Sequence, residues 1–325
     1  MTKKKLDWLT DRLTTRLSFK IANCLKIILL FSLTACATRN FKYQPGQIPT
    51  QHYLSATDEQ YGQTVFSELG NQYQLSRNDD MINRVRDITD RLTKAAMVNQ
   101  NPWQVHLFED DRIKNASATR GNYIFIWSGM VKAAISDSEL AAILAHEIAH
   151  VLAGHTAADP HEEVGRIFAG IAGIIGGQIL YSRGYGPLGD LAEFLLRNTV
   201  EAIVLNPNLQ IKELEADRIG LFIAADAGYD PEEAVRFWER AKNDPDLRNE
   251  TFAFLSTHPS NAARLKQLHQ LLPDARDRYD EAQYSLKKAE INQKKTPTSI
   301  TKQKPNIRKK SLEKKSIQEE LKNDY

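Results

Sequence analysis

His146 and His150 stand four residues apart with Glu147 between them, in the stretch His146-Glu147-Ile148-Ala149-His150. On a helix of 3.6 residues per turn these positions share one face, so both imidazoles can reach a common ion about 2.0–2.1 Å from each nitrogen. Glu147 lies beside that face, placed to take a proton from water whose pKa a zinc ion lowers to about 7. Hydrolysis by metal-activated water is the chemistry this set performs. The pentapeptide also arises by chance on solvated helices, so its meaning rests on the surrounding helix, a third ligand and the groups that orient the ligands.

The surrounding helix is well signalled. Ser136-Asp137-Ser138-Glu139 reads as a capping box, and Leu140, Ile143, Leu144, Ile148, Val151 and Leu152 recur at helical spacing. These signals predict a helix from Asp137 to about Gly154 with apolar flanks for burial. His155 does not extend the motif to HExxHxxGxxH, because Ala153 and Thr156 stand where that pattern needs Gly and His. His155 reads as the end of the helix, facing a carbonyl or the negative end of the dipole. A third ligand is offered by Glu213-Leu214-Glu215-Ala216-Asp217, where Glu213 and Asp217 share a helix face. One of these carboxylates can bind the metal while the other orients a ligand imidazole.

With Ser256-Thr257-His258-Pro259 and Arg264 added, the chain from about Ser55 to Leu272 resembles the gluzincin-type zinc metallopeptidase family that includes HtpX, the CAAX prenyl proteases, BepA and LoiP. Asn115 to Asn122 and Trp127 to Met130 belong to the same resemblance. It implies an α+β, mainly helical zincin-like domain with a small β-sheet beside the HExxH helix, and one Zn2+ per chain. Residue by residue, it implies His146, His150 and Glu213 as zinc ligands, Glu147 as general base, and Asp217 as the partner of His146. It also offers His258 as a fourth ligand in a resting state and Arg264 as a stabiliser of the oxyanion. The plainer readings are that Thr257 to Ser260 opens a helix over Asn261 to Leu272, and that Arg264 forms a salt bridge securing it. Within the resemblance an edge strand beside the zinc aligns extended substrate, and Asn115 to Thr119 is either that strand or an ordinary connecting strand.

The elements that must position these groups can be read outward from the motifs. Thr57-Asp58-Glu59-Gln60 looks like a capping box for a helix to about Tyr73, and a second helix runs from Asp80 to about Ala96. Val105 to Phe108 and Tyr123 to Trp127 read as strands, and Asn115 to Thr119 as a third. The apolar stretch Ile167 to Leu180, followed by a Gly-rich turn to Pro187, reads as a buried or interfacial helix, either a plain core helix or a lid over the cleft. Gly228, Asp230 and Pro231 end one helix and open another, with Trp238 on its apolar face.

The termini set the location. Seven Lys and Arg residues precede the short apolar run Ile27 to Leu33, as in a secretory signal, and Leu33-Thr34-Ala35-Cys36 looks like a lipobox. Ala37 follows Cys36 where retention at the inner membrane would call for aspartate. The expectation is a signal peptide over 1–35, lipid on Cys36, a polar tether over 36–54, a metalloprotease domain over 55–273 and a Lys-rich disordered tail over 274–325. A chain processed before Cys36 loses Cys24, leaving no disulfide. Of 325 residues 42% are hydrophobic and the formal charge is only +2, which argues against nucleic acid as a partner. There is no tetratricopeptide pattern, a departure from BepA-like members that favours the single-domain LoiP-like branch. Together these readings predict an outer-membrane-anchored endopeptidase on the periplasmic face of a Gram-negative bacterium, acting on unfolded or misassembled envelope proteins. The alternative of a different class is a zinc-dependent periplasmic chaperone or outer-membrane assembly factor with latent proteolysis.

Overall fold

Tyr123 to Trp127 is an uninterrupted apolar run, the pattern of a strand buried on both faces. In the computed structural model, which describes residues 41–51, 53–168, 171, 206–243, 253–258 and 262–295, it is the central strand. β1 (Gln104–Phe108) pairs parallel with β3 (Tyr123–Trp127), and β2 (Ala116–Thr119) pairs antiparallel with its other side. The register sets Val105 opposite Ile124 and Ala118 opposite Ile124 from the other side. The described helices, in chain order, are α1 (Ala56–Gly70), α2 (Asp79–Ala95), α3 (Ser128–Ala133), α4 (Asp137–Ala153), α5 (Pro207–Asp226), α6 (Glu232–Asn243), α7 (Ala253–Thr257) and α8 (Ala262–Lys295). The fold is the mainly helical α+β class expected, with the small sheet beside the HExxH helix.

Alternation along the strands sorts side chains between two cores. Leu107, Ala116, Ala118, Ile124 and Ile126 face α2 and α4, whereas Phe108, Tyr123, Phe125 and Trp127 face Tyr61, Val65 and Leu69 of α1. Val164, Ile167 and Ile171 complete the second core. The rest of the segment expected as a core helix or lid, to Pro187, lies outside the described residues, as do the signal peptide, Cys36, Ser260 and the tail beyond Lys295. No helix among the described residues is long and apolar enough to cross a membrane.

Local signals explain where helices begin. Ser136 caps α4 by accepting the Glu139 N–H at 3.1 Å, a bond worth about 1 kcal/mol. The reciprocal half of the expected box is absent, because the Glu139 carboxylate is buried against Arg240 instead. α1 begins two residues earlier than expected, with Ser55 and Asp58 forming the capping box in place of Thr57 and Gln60. Asn206 caps α5 ahead of Pro207 at its first turn.

Two boundaries move. The tether expected over 36–54 is docked from Phe41 onward: Pro49 is buried, Tyr43 and Ile48 pack on the core, and Arg218 lies 3.9 Å over the Phe41 ring. The tail expected from 274 begins later, because α8 continues through Pro273 to Lys295. Ala275 is fully buried and Tyr279 packs on the core, while Arg276 and Arg278 reach Asp230 and Asp226 at 3.3 and 3.2 Å. Chain contacts divide the molecule at Asp280, and the described part of the C-terminal unit, 281–295, is the helical end of α8.

The contact that positions the site is between α4 and α5. A Cβ on Gly220 would stand 2.9 Å from the His146 nitrogen and 3.0 Å from the Ala145 carbonyl, so only glycine lets the two backbones approach this closely. Gly220→Ala is expected to cost about 1–3 kcal/mol in a denaturant titration, because α5 must back away from α4; it should also weaken metal binding.

His106 supplies a pH test of the second core. Its ring stacks 4.1 Å from Phe66 and 5.4 Å from Tyr123, and burial, helped by Arg86, holds its pKa down to about 4. The folded chain keeps it neutral while the unfolded chain protonates it below about pH 6.5. Its stabilising share is therefore full above pH 6.5 and lost as pH falls toward 4. His106→Phe, which keeps the stack, should flatten the fall of the denaturation midpoint across that window relative to the wild type.

Candidate metal centre

α4 presents His146 and His150 from one face, and α5 lies across it with Glu213 and Asp217, also one turn apart. All four side chains are buried or nearly so. His146 Nε2 is 3.1 Å from His150 Nε2 and 3.3 Å from Glu213 Oε2, and His150 Nε2 is 3.4 Å from Glu213 Oε1. His258 enters from the end of α7, with Nδ1 3.1 Å from Glu213 Oε2 and 3.3 Å from His146 Nε2. Donor atoms of His146, His150, Glu213 and His258 all lie within 4.8 Å of one another. Converging lone pairs of three imidazoles and a carboxylate, in a buried place, suit a divalent ion, and mixed nitrogen and oxygen donors suit zinc. The expected residues are thus brought together, His258 included.

Each donor is held from behind. His146 Nδ1 is 3.0 Å from Asp217 Oδ1, the partner expected for it. Burial opposes a proton on His146, but Asp217 and Glu213 outweigh it and lift its pKa to about 9. Burial alone would raise the Glu213 carboxyl, yet His258, His150 and Arg264 hold it well below its usual range. His150 is pushed down by burial.

Arg264 is placed differently from its expected part at an oxyanion. Its guanidinium has no exposure, donates from Nε and Nη2 to both oxygens of Asp217 at 2.6 Å, and lies 3.0 Å from Glu213 Oε2. Nη1 also donates to the His258 carbonyl at 3.1 Å, and the plane lies 3.8 Å over Trp238. A fully buried cation so engaged compensates the carboxylates and fastens α8 to α5 and α7; the salt-bridge reading is the one the geometry carries.

Glu147 stands on the cleft side. Its Oε2 accepts the Ala118 N–H at 3.2 Å, and its Oε1 is 3.3 Å from His258 Nε2. Burial raises its pKa, against the pull of His258 and His146, which moves it toward the range a general base uses. The Asn115 carbonyl accepts from Trp127 N–H, so Ala116 and Ala118 turn their backbone groups to the opposite edge of β2, the edge facing Glu147. The Lys114 carbonyl, just upstream, accepts the Phe254 N–H at 3.1 Å and so ties the start of β2 to the His258 turn.

Two residues of the centre escaped the sequence reading. The His155 backbone ends α4 as expected, with Gly154 at φ 76° and bonds from the Gly154 N–H to the Val151 carbonyl and from the His155 N–H to the His150 carbonyl. That turn folds the His155 ring back to 3.0 Å from His150 Nδ1. Its Nε2 lies 3.1 Å from Glu215 Oε2, the middle carboxylate of the second motif. The available signal was a glycine and a third histidine closing the motif helix.

Residues 81–272, more than half of the chain, match the model of peptidase family M48. The mitochondrial metalloendopeptidase OMA1 of Saccharomyces cerevisiae is 30% identical over 188 residues, which cover 56% of this chain and 51% of that one. Its Schizosaccharomyces pombe counterpart is 30% identical over 65% of this chain and 58% of its own length. A putative beta-barrel assembly-enhancing protease of Vibrio cholerae is 31% identical over 61% of this chain and 40% of its own. The match thus spans about half the length of these relatives. With the two histidines, the glutamate between them and the downstream acidic pair joined at one centre, the chain belongs to peptidase family M48.

Proposed function

We propose that this chain is a zinc-dependent endopeptidase that cuts extended segments of damaged or misassembled cell-envelope proteins. The observation that carries the reading is the Glu147 carboxylate, set between a four-donor metal cluster and the edge of β2 that pairs with no other strand among the described residues. His146, His150 and Glu213 would hold the ion, with His258 as fourth donor in a resting state. A bound zinc ion supplies Lewis acidity toward a peptide carbonyl and toward water. Glu147 takes the proton from attacking water and returns it to the leaving amine, which its raised pKa favours. Ala116 and Ala118 offer backbone groups to an extended chain, so recognition needs no particular side chains. A substrate strand would compete for the Ala118 N–H that Glu147 accepts, and His258 must leave Glu147 for the base to work.

The anchor reading rests on Cys36 within Leu33-Thr34-Ala35-Cys36, and places the domain at the outer membrane facing the periplasm. A relative named for beta-barrel assembly is in keeping with envelope substrates. A purely chaperone-like reading is not favoured, because Glu147 is intact and aimed into the centre.

Glu147→Gln should retain zinc and lose about 10²–10⁴-fold in cleavage of an unfolded protein substrate. Chelation of the metal should abolish cleavage by the wild type, and His258→Ala should raise it. Equal cleavage by wild type and Glu147→Gln would remove Glu147 as base. Radiolabelled palmitate should enter the wild type and not Cys36→Ala; equal labelling of both would remove the lipid anchor.

A further inference from the structure

Behind His150 a chain of contacts runs out of the centre to the N-terminal strap. His150 Nε2 faces the metal donors, so its Nδ1 faces His155 Nδ1 at 3.0 Å. His155 Nε2 faces Glu215 Oε2 at 3.1 Å, and Glu215 Oε1 accepts the Tyr43 backbone N–H at 3.0 Å. Arg218, one turn along α5 at hydrogen-bonding range, donates to the Tyr43 carbonyl at 3.2 Å and covers the Phe41 ring. His155 and Glu215 are both buried, with relative exposures of 6% and 5%.

Hydrogen-bond direction allows one arrangement along this chain. For His150 Nε2 to give its lone pair to an ion, Nδ1 must carry the proton and donate it. His155 Nδ1 must then accept, which leaves the His155 proton on Nε2, where Glu215 receives it. Tyr43 occupies the second oxygen of Glu215 and fixes the carboxylate in the rotamer that faces His155. The strap therefore closes a relay whose inner end is a metal ligand.

We infer that His155 and Glu215 are positioning residues that fix the metal-binding tautomer of His150, and that docking of the Phe41–Tyr43 strap tightens metal binding through them. This rests on the proposed role of His150 as a ligand, and the experiment separates the two. Zinc affinity is measured on the full-length protein by chelator competition, with urea titration of each metal-free form as the check of folding. His155→Leu should weaken zinc binding by about 10–100-fold. His155→Gln, whose carbonyl can accept from His150 and whose amide can donate to Glu215, should recover most of that loss. Tyr43→Pro, which removes the N–H, should weaken binding several-fold, and adding it to His155→Leu should weaken binding no further.

Zinc bound as tightly by folded His155→Leu as by the wild type would overturn the relay. Should His155→Leu not fold, His155→Gln and Tyr43→Pro still decide: wild-type affinity in Tyr43→Pro, or a full loss in His155→Gln, would overturn it. An additive loss in the double variant would overturn the link from the strap. His150→Ala is the control for the ligand reading; undiminished zinc affinity there would overturn the metal centre itself, whatever the relay variants do.

Discussion

The centre exists because two buried helices touch backbone to backbone. Gly220 lets α5 lie against α4 at Ala145 and His146, and this contact sets the distance between the carboxylates of one helix and the imidazoles of the other. Neither helix could donate a complete set alone. α4 offers two nitrogens one turn apart, and α5 closes the site with Glu213 only because its axis is this near. The sheet serves the same contact from the other side, since Ala116 and Ala118 are small enough to seat β2 against α4.

Close packing has an electrostatic consequence. Glu213, Glu215 and Asp217 all sit buried on one helix, and an uncompensated carboxylate there would cost several kcal/mol. The structure answers each one separately. Arg264 and His146 take Asp217, the donor cluster and Arg264 take Glu213, and His155 with the Tyr43 amide takes Glu215. Four helices and the N-terminal strap are thereby fastened at one place, so the same contacts that order the ligands also hold the body of the fold. Trp238 and Phe254 wall off this cluster on the apolar side, where His146 and His258 lie against them.

Much of this was legible from residue types and spacing. HExxH, the Glu213 and Asp217 pair, the three strands and the cap at Ser136 all express short-range geometry, which a sequence displays directly. Longer-range choices were not displayed. Ser55 with Asp58 and Thr57 with Gln60 both satisfy the capping pattern, and packing of Tyr61 and Val65 selects the first. The helix expected to end at Leu272 runs on through Pro273, which removes one helical bond from a helix that Ala275 and Tyr279 hold by burial. Glu139 met the rule for a reciprocal cap, but the half-buried Arg240 of α6 won its buried carboxylate. His155 and Glu215 meet across 60 residues, and no local pattern encodes such a meeting. Arg264 carried two readings, and the structure displays the salt bridge, a completely buried pair with Asp217.

Docking of the strap also sets a length. If Cys36 bears lipid, only five residue steps separate it from Phe41, where the chain is already fixed to the body. Five steps of extended backbone reach about 18 Å at most. On that condition the strap is a short leash, holding Phe41 within that distance of the lipidated residue.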